Sequence, residues 1–145
     1  MIPIMNTTYI AIIGDIKDSR RLTDRAETQH RLQQILETIN TTYNPASAFM
    51  ITLGDEFQGL LACAGDTLPI IDYIERHMPP VTLRFGIGAG PLSTPVKKDS
   101  AFGMDGPAYY RARDMITQLK TLEKKNRQPL ATIMLDTEDT TLART

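Results

Sequence analysis

The sequence predicts an α+β fold in which a mixed β-sheet carries helices packed on one face. Short apolar runs have the length of strands, and longer segments repeat their apolar residues with the spacing of a helix. The predicted order is β-α-β-β-α-β-α-β. Strand pairs that alternate with helices are typical of the ferredoxin-like arrangement.

The N-terminal third of the chain predicts a buried strand followed by a helix. Residues 9–13 form an unbroken apolar run that ends at Gly14 and Asp15, which suits a central strand covered on both faces. Asp24 and Glu27 match a capping box and predict the start of the helix. The apolar face of this helix carries Leu32, Ile35, Leu36, Ile39 and Tyr43, and Asn44-Pro45 ends it.

The middle of the chain predicts a β-hairpin and a second helix. Apolar runs at 49–53 and 57–62 are separated by Gly54-Asp55-Glu56, which is a short turn. The helix begins near Asp66 and is stopped by Pro79-Pro80.

The last part of the chain predicts a strand, a loop, a helix and a final strand. The strand spans 81–89, with glycines at alternate positions that favour close approach of a helix or ligand. The loop spans about 91–105. The apolar face of the helix lies within 112–122, and the final strand is 131–135.

Length and composition predict one globular domain over residues 1–145. The chain is 41% hydrophobic and 23% charged, which is ordinary for a folded domain. A net charge of −1 argues against nucleic acid or a membrane surface as a partner, and no run is long enough to cross a bilayer. The chain has one cysteine, Cys63, so it has no internal disulfide framework, and we therefore expect a cytoplasmic protein. Cys63 itself is expected to be buried.

Two aspartates stand at predicted strand ends. Asp15 follows the first strand and Asp55 lies at the hairpin tip, so the two carboxylates converge if these strands are neighbours. Such a pair suits a hard divalent cation, Mg²⁺ or Mn²⁺, held together with ligand phosphates. Lys17, Ser19 and Arg20 add donors in a loop that leads to a helix N-terminus, where an anion is favoured. The alternative is that both aspartates only form turns.

A cationic helix near the C-terminus offers further ligand contacts. Arg111 or Arg113, near the helix start, is expected to face the phosphate site, whereas Lys120 is expected to lie too far along the helix. Tyr109 and Tyr110 either stack on a base or pack as half-buried core.

Four sequence blocks together resemble the SatD family of bacterial proteins, whose name refers to secretion and acid tolerance. They lie in family order over about residues 9–116. The blocks are Gly14-Asp15-Ile16 with Ser19 and Arg20, Leu53 to Gly59, Arg84 to Gly88, and Asp105 to Arg113.

More distantly, the same blocks are similar to class III nucleotidyl cyclase and GGDEF domains. The resemblance implies a cyclase-like fold in which Asp15 and Asp55 bind metal ions over a nucleoside triphosphate. It also implies that two chains pair as a homodimer. Tyr110 and Arg113 fall in the helix block that contacts nucleotide in that superfamily.

The chain departs from the cyclase pattern at positions that serve catalysis. Ile51 stands where cyclases place a purine-selecting lysine. Tyr110 stands in place of a transition-state asparagine, and the arginine falls at Asp114 unless a one-residue slip brings in Arg113. The resemblance therefore implies a regulatory or degenerate cyclase-like protein that binds a metal and a nucleotide. An active two-metal cyclase or phosphohydrolase and a ligand-free interaction module are the alternatives.

Overall fold

A computed structural model describes residues 7–18, 23–100, 103–126 and 132–137. Within these ranges the chain forms one five-stranded mixed sheet and three α-helices, which confirms the predicted α+β class and element order. The strands are β1 (Tyr9–Ile16), β2 (Ser47–Leu53), β3 (Glu56–Leu61), β4 (Leu83–Gly90) and β5 (Ile133–Asp136). The helices are α1 (Arg25–Tyr43), α2 (Thr67–His77) and α3 (Pro107–Asn126).

The sheet has the order β2-β3-β1-β4-β5, with β1 in the middle. β1 runs antiparallel to both β3 and β4, and β5 pairs parallel with β4. Residues 10–16 of β1 are buried, because both faces of this strand are covered. The register places Asp15 opposite Glu56 on one side and opposite Arg84 on the other.

The helices lie on both faces of the sheet, so the prediction of one covered face was wrong for α3. Ile10, Ile12 and Ile16 pack in a core with α1 and α2. Ala11 and Ile13, which point the other way, pack in a second core with α3. Strand side chains alternate between faces, and the unbroken apolar run of β1 needs a helix layer on each side.

Glycines of β4 allow α3 to lie almost on the backbone of the sheet. A Cβ at Gly86 would overlap the Ala112 carbonyl oxygen, and a Cβ at Gly88 would overlap the Ala108 carbonyl oxygen. The order of these contacts shows that α3 runs antiparallel to β4. The C-terminal half of α3 therefore lies over the start of β4 and the end of β1.

Asp24 and Asn44 close the ends of α1, as the sequence indicated. The Asp24 carboxylate accepts a hydrogen bond of 2.9 Å from the Glu27 amide. Asn44 adopts φ 47° and donates its N–H to the Asn40 carbonyl. Such caps satisfy backbone groups that the helix itself leaves unpaired.

Two surface features complete the described fold. The loop after β4 covers the start of the edge strand β2, where the Ala48 amide donates to the Lys98 carbonyl at 2.9 Å. Cys63 is exposed, which corrects the expectation of a buried thiol, because the chain leaves β3 before this residue.

No helix in the described ranges is long and apolar enough to span a membrane.

The glycine contact predicts a measurable stability loss. Gly88→Ala should lower the free energy of unfolding by about 1–3 kcal/mol, because the new methyl group forces α3 away from β4. For a domain of this size that is a fall in Tm of about 3–10 °C. Gly65→Ala is the matched control, since a Cβ there meets no atom closer than 3.5 Å. Equal melting temperatures for the two variants in thermal unfolding would contradict close packing of α3.

Candidate functional site

Asp15 is a buried carboxylate on the face of the sheet that α3 covers. Its side chain is only 6% exposed. The Asp15 Oδ2 atom lies 3.0 Å from Arg84 Nη1 and 3.2 Å from Lys120 Nζ. Arg84 comes from the neighbouring strand β4 and Lys120 from the C-terminal half of α3. A buried carboxylate is costly unless it is paired, so these two cations make its burial tolerable.

Glu123 extends the cluster by holding Arg84 from the other side. Arg84 Nε donates to both oxygens of Glu123, at 3.0 and 2.9 Å. Lys17, just past the end of β1, lies 3.2 Å from Glu123 Oε1. The Arg84 guanidinium therefore lies between the carboxylates of Asp15 and Glu123, and its side chain is 13% exposed.

Pairing raises the pKa of Arg84 and lowers the pKa of Glu123. Burial lowers the pKa of Arg84, but the hydrogen bonds and charges of Glu123 and Asp15 outweigh burial and raise it above its usual value. Burial raises the pKa of Glu123, but hydrogen bonds from Arg84 and Lys17 outweigh burial and hold it below its usual value. Both groups are therefore firmly charged near neutral pH.

A second ion pair lies beside the first on the same face. Glu56 follows the hairpin turn and is opposite Asp15 in the sheet register. Its Oε1 atom lies 2.6 Å from Arg113 Nη2 of α3. The pKa of Arg113 is raised by its hydrogen bond to Glu56, and the charge of Asp15 adds to this effect. The two carboxylates are thus held on adjacent strands under α3.

Exposure divides the cluster into a cationic rim and a buried acidic floor. The side chains of Lys120 and Arg113 are 47% and 49% exposed. Those of Asp15 and Glu56 are 6% and 10% exposed. We call Lys120 and Arg113 the cationic rim. The solvent-exposed part of the cluster is therefore positively charged, which favours the binding of an anionic group.

The hairpin tip lies at the same end of the sheet as Asp15. The backbone amide of Ile16 donates to the Asp55 carbonyl at 3.0 Å, so the chain just after Asp15 contacts the hairpin turn. Asp55 itself is half-buried. From the sequence, we expected the two aspartates at one edge of the sheet if their strands were neighbours. The strands β1 and β3 are neighbours, so this condition is met.

The other predicted site residues divide into three groups. Lys17 and Arg113 lie in the cluster around Asp15. Tyr110 lies near the opposite end of α3, about 15 Å of helix away from Lys120, and its hydroxyl hydrogen-bonds Asp105 at 2.6 Å. Ser19 and Arg20 lie outside the described residues.

Of the two arginines expected to face the site from the helix start, Arg113 lies in the cluster and Arg111 does not. Arg111 donates to the Ala89 carbonyl at 2.6 Å, at the far end of β4. Tyr109 is buried in the core beneath α3, so of the two alternatives it takes the core position. The antiparallel direction of α3 explains both placements, since it brings the end of the helix to Asp15.

Sequence reasoning missed Arg84, Glu56 and Glu123 as members of the cluster, and the expectation that Lys120 lies too far along the helix was wrong. Arg84 had a usable signal: it stands two and four residues before Gly86 and Gly88, and alternate strand residues share a face. Glu56 also had one, because it stands in register with Asp15 once the hairpin pairs with β1. Lys120 and Glu123 had none without the direction of α3.

Two carboxylates supply only part of the coordination shell of a divalent cation, so water or ligand oxygens would supply the rest. Carboxylates are suitable donors for Mg²⁺ or Mn²⁺, and such ions are commonly held by one or two of them plus phosphates. In the described part of the chain, however, no group of three or more His, Cys, Asp or Glu residues is placed to hold a metal.

Arg84 should be the main neutralising group of the cluster. Arg84→Met leaves the buried Asp15 and the half-buried Glu123 with only Lys120 and Lys17, so we expect a loss of about 3 kcal/mol in the free energy of unfolding. The matched control is Arg76→Met, which breaks an exposed pair with Asp72 and should cost less than about 0.5 kcal/mol. Urea unfolding measures both. Similar losses for the two variants would show that the cluster contributes no more than a surface pair.

The lowered pKa of Glu123 predicts loss of stability in acid. A carboxyl whose folded pKa lies below its unfolded value near 4.5 stabilises the fold above that pH and loses this contribution as pH falls. Glu123→Gln should therefore cost about 2 kcal/mol at pH 6 and progressively less below pH 4, by denaturant titration. Glu37→Gln, on the exposed face of α1, is the control. A Glu123→Gln cost that stays constant from pH 6 to pH 3 would contradict the pairing.

The fold is that of nucleotidyl cyclase domains. The guanylyl cyclase domain of the RhoGC fusion protein from Blastocladiella emersonii, a double mutant, superposes with a TM-score of 0.58 at 16% identity, over 77% of this chain and 75% of that one. The catalytic core of a rhodopsin-guanylyl cyclase in complex with ATPαS gives 0.57 at 15% identity, over 77% and 73%. A bacterial light-regulated adenylyl cyclase gives 0.56 at 19% identity, over 89% and 75%.

These similarities confirm the cyclase-like fold that the sequence blocks implied, and at such identities they concern the fold alone. A comparison with curated proteins gives no match. The model of the SatD family matches residues 9–145, which is nearly the whole length. The resemblance to the SatD family that was drawn from the four blocks around Asp15, the hairpin, β4 and the start of α3 is thus confirmed, and this chain belongs to the SatD family.

Proposed function

We propose that this chain is a regulatory, cyclase-like domain that binds a phosphorylated ligand together with a divalent cation. The expected ligand class is a nucleotide, and the expected cation is Mg²⁺ or Mn²⁺ at Asp15 and Asp55. The observation that carries the proposal is the cationic rim above buried carboxylates at the end of β1. A phosphate group matches the rim, and a cation shared with that phosphate matches the carboxylates of Asp15 and Asp55.

Several residues would contact the phosphates. Arg113 offers a planar guanidinium at the rim, which is well suited to bidentate contact with phosphate oxygens. Lys17 lies just past the end of β1, near the hairpin turn, and Ser19 and Arg20 follow it in the sequence. Tyr110 lies too far along α3 to contact the same phosphate, and its proposed role is limited to a distant part of a long ligand.

Binding is favoured over catalysis because two groups that cyclases use are replaced. Ile51 is partly buried against the apolar core with α1 and α2, so it presents no polar group to a base. Tyr110 replaces the asparagine that would stabilise developing charge, and loss of one such donor costs orders of magnitude in rate. Similar folds hold nucleotides, as the rhodopsin-guanylyl cyclase core in complex with ATPαS illustrates.

Two alternatives make different use of the same cluster. An active two-metal cyclase or phosphohydrolase would convert a nucleotide, whereas a ligand-free interaction module would use the ion pairs only to hold α3. The dense pairing of Asp15 with Arg84 and Lys120 is the observation that favours the second alternative. Association of two copies, which the resemblance implies, remains a prediction.

Thermal unfolding with nucleotides tests the proposal. Wild type is heated with millimolar Mg²⁺ or Mn²⁺ and each of the four ribonucleoside triphosphates, or with inorganic phosphate. At least one nucleotide should raise Tm, since a ligand at a hundred times its Kd adds about 2.7 kcal/mol to the stability of the folded state. Arg113→Gln and Asp15→Asn should reduce the shift several-fold.

The control variant is Arg76→Gln, which removes the same charge from the opposite face of the sheet and should keep the full shift. Chromatography of the incubated nucleotides separates binding from catalysis, because a binding domain returns them unchanged. Absence of a shift for wild type with every nucleotide and metal would refute ligand binding and support the interaction module.

A further inference from the structure

Lys120 forms an ion pair with Asp15, the carboxylate at which the proposed cation would bind. We propose that its ammonium group is an internal counter-ion, which a divalent cation must displace before it can bind Asp15. This inference rests on the proposed function, because it concerns the same carboxylate. It assigns Lys120, a residue of α3 outside the sequence blocks, as the group that sets the affinity of the site for metal.

The contact geometry places both cations on one carboxylate oxygen. Lys120 Nζ and Arg84 Nη1 lie 3.2 and 3.0 Å from the same atom, Asp15 Oδ2. A divalent cation bound to this carboxylate would lie about 2.1 Å from an oxygen, close to both positive groups. Repulsion between charges at such distances is strong in a partly buried site. A cation at this carboxylate is therefore opposed by both side chains until one of them moves away.

Lys120 is the side chain that can leave. Arg84 is 13% exposed and is held by hydrogen bonds to both oxygens of Glu123, so its departure would strand a second carboxylate. Lys120 is 47% exposed, and its flexible stem lets the ammonium reach water without breaking another described ion pair. Because solvent screens the Lys120 ammonium more than the Arg84 guanidinium, the Lys120 contact is the weaker of the two.

Displacement would also make Lys120 available to the ligand. In the absence of metal its charge neutralises Asp15. Once a divalent cation takes over that role, the ammonium stands at the rim beside Arg113, where the proposed phosphate would bind. The metal would release the Lys120 ammonium and the phosphate would bind it. Each ligand would therefore raise the affinity of the site for the other.

Mn²⁺ binding without nucleotide tests the role of Lys120 directly. Lys120→Gln removes the competing charge and keeps a residue of similar length and helix preference. It should tighten Mn²⁺ binding about three- to tenfold at low ionic strength, as loss of a surface ion pair and of its repulsion implies. The measurement is titration calorimetry, or the loss of the electron paramagnetic resonance signal of free Mn²⁺.

The matched control is Lys125→Gln, which makes the same charge change at an exposed position in the last turn of α3. It should leave Mn²⁺ affinity within about twofold of wild type. Asp15→Asn should abolish the tightening when combined with Lys120→Gln. Melting curves without metal establish that each variant is folded. The lysine variants should keep the Tm of wild type because both positions are exposed, whereas Asp15→Asn changes a buried residue and needs this check most.

The outcomes separate this inference from the proposed function. Mn²⁺ binding that depends on Asp15 but is equal in wild type and Lys120→Gln overturns the inference and keeps the metal site. Equal tightening in Lys125→Gln also overturns it, because the effect would then follow net charge. Absence of Asp15-dependent binding even in Lys120→Gln refutes the metal site itself, while the nucleotide shifts of wild type test ligand binding independently.

Discussion

The burial of the Asp15 carboxylate is the constraint on which the site depends. The central strand β1 is covered on both faces, so a charge near its end has little access to water. Arg84 neutralises it from the adjacent strand, and Glu123 in turn fixes Arg84. A buried charge is tolerated only when it is paired and hydrogen-bonded. The ion pairs therefore tie the end of β1, the start of β4 and the end of α3 together.

The close packing of α3 on β4 determines which residues can take part in that network. Glycines remove the side chains that would otherwise hold the helix away from the sheet. The helix lies close enough for Lys120 and Glu123 to reach Asp15 and Arg84. The same packing places a cationic rim over an acidic floor.

Fold and site differ in how far the sequence predicts them. The buried face of α1 and the cap at Asp24 follow from local periodicity and hydrogen bonding, and they are as expected. The neighbouring positions of β1 and β3 follow from the usual pairing of strands in this element order. The second helix layer did not follow, although the unbroken apolar run of β1 implied two covered faces. Lys120 was excluded from the site because helix direction is a property of long-range packing.

By itself, the sequence determined the elements, their order, the family and the strand-end positions of Asp15 and Asp55. Those features depend on residues close together in the chain, where spacing and local chemistry are sufficient. Tertiary structure alone decided the charge partners of Asp15. Arg84 and Lys120 are remote from it in sequence, and they meet it because β4 is antiparallel to β1 and α3 runs back along β4. Electrostatic contacts depend on distance in space, which the packing of the sheet and helix sets.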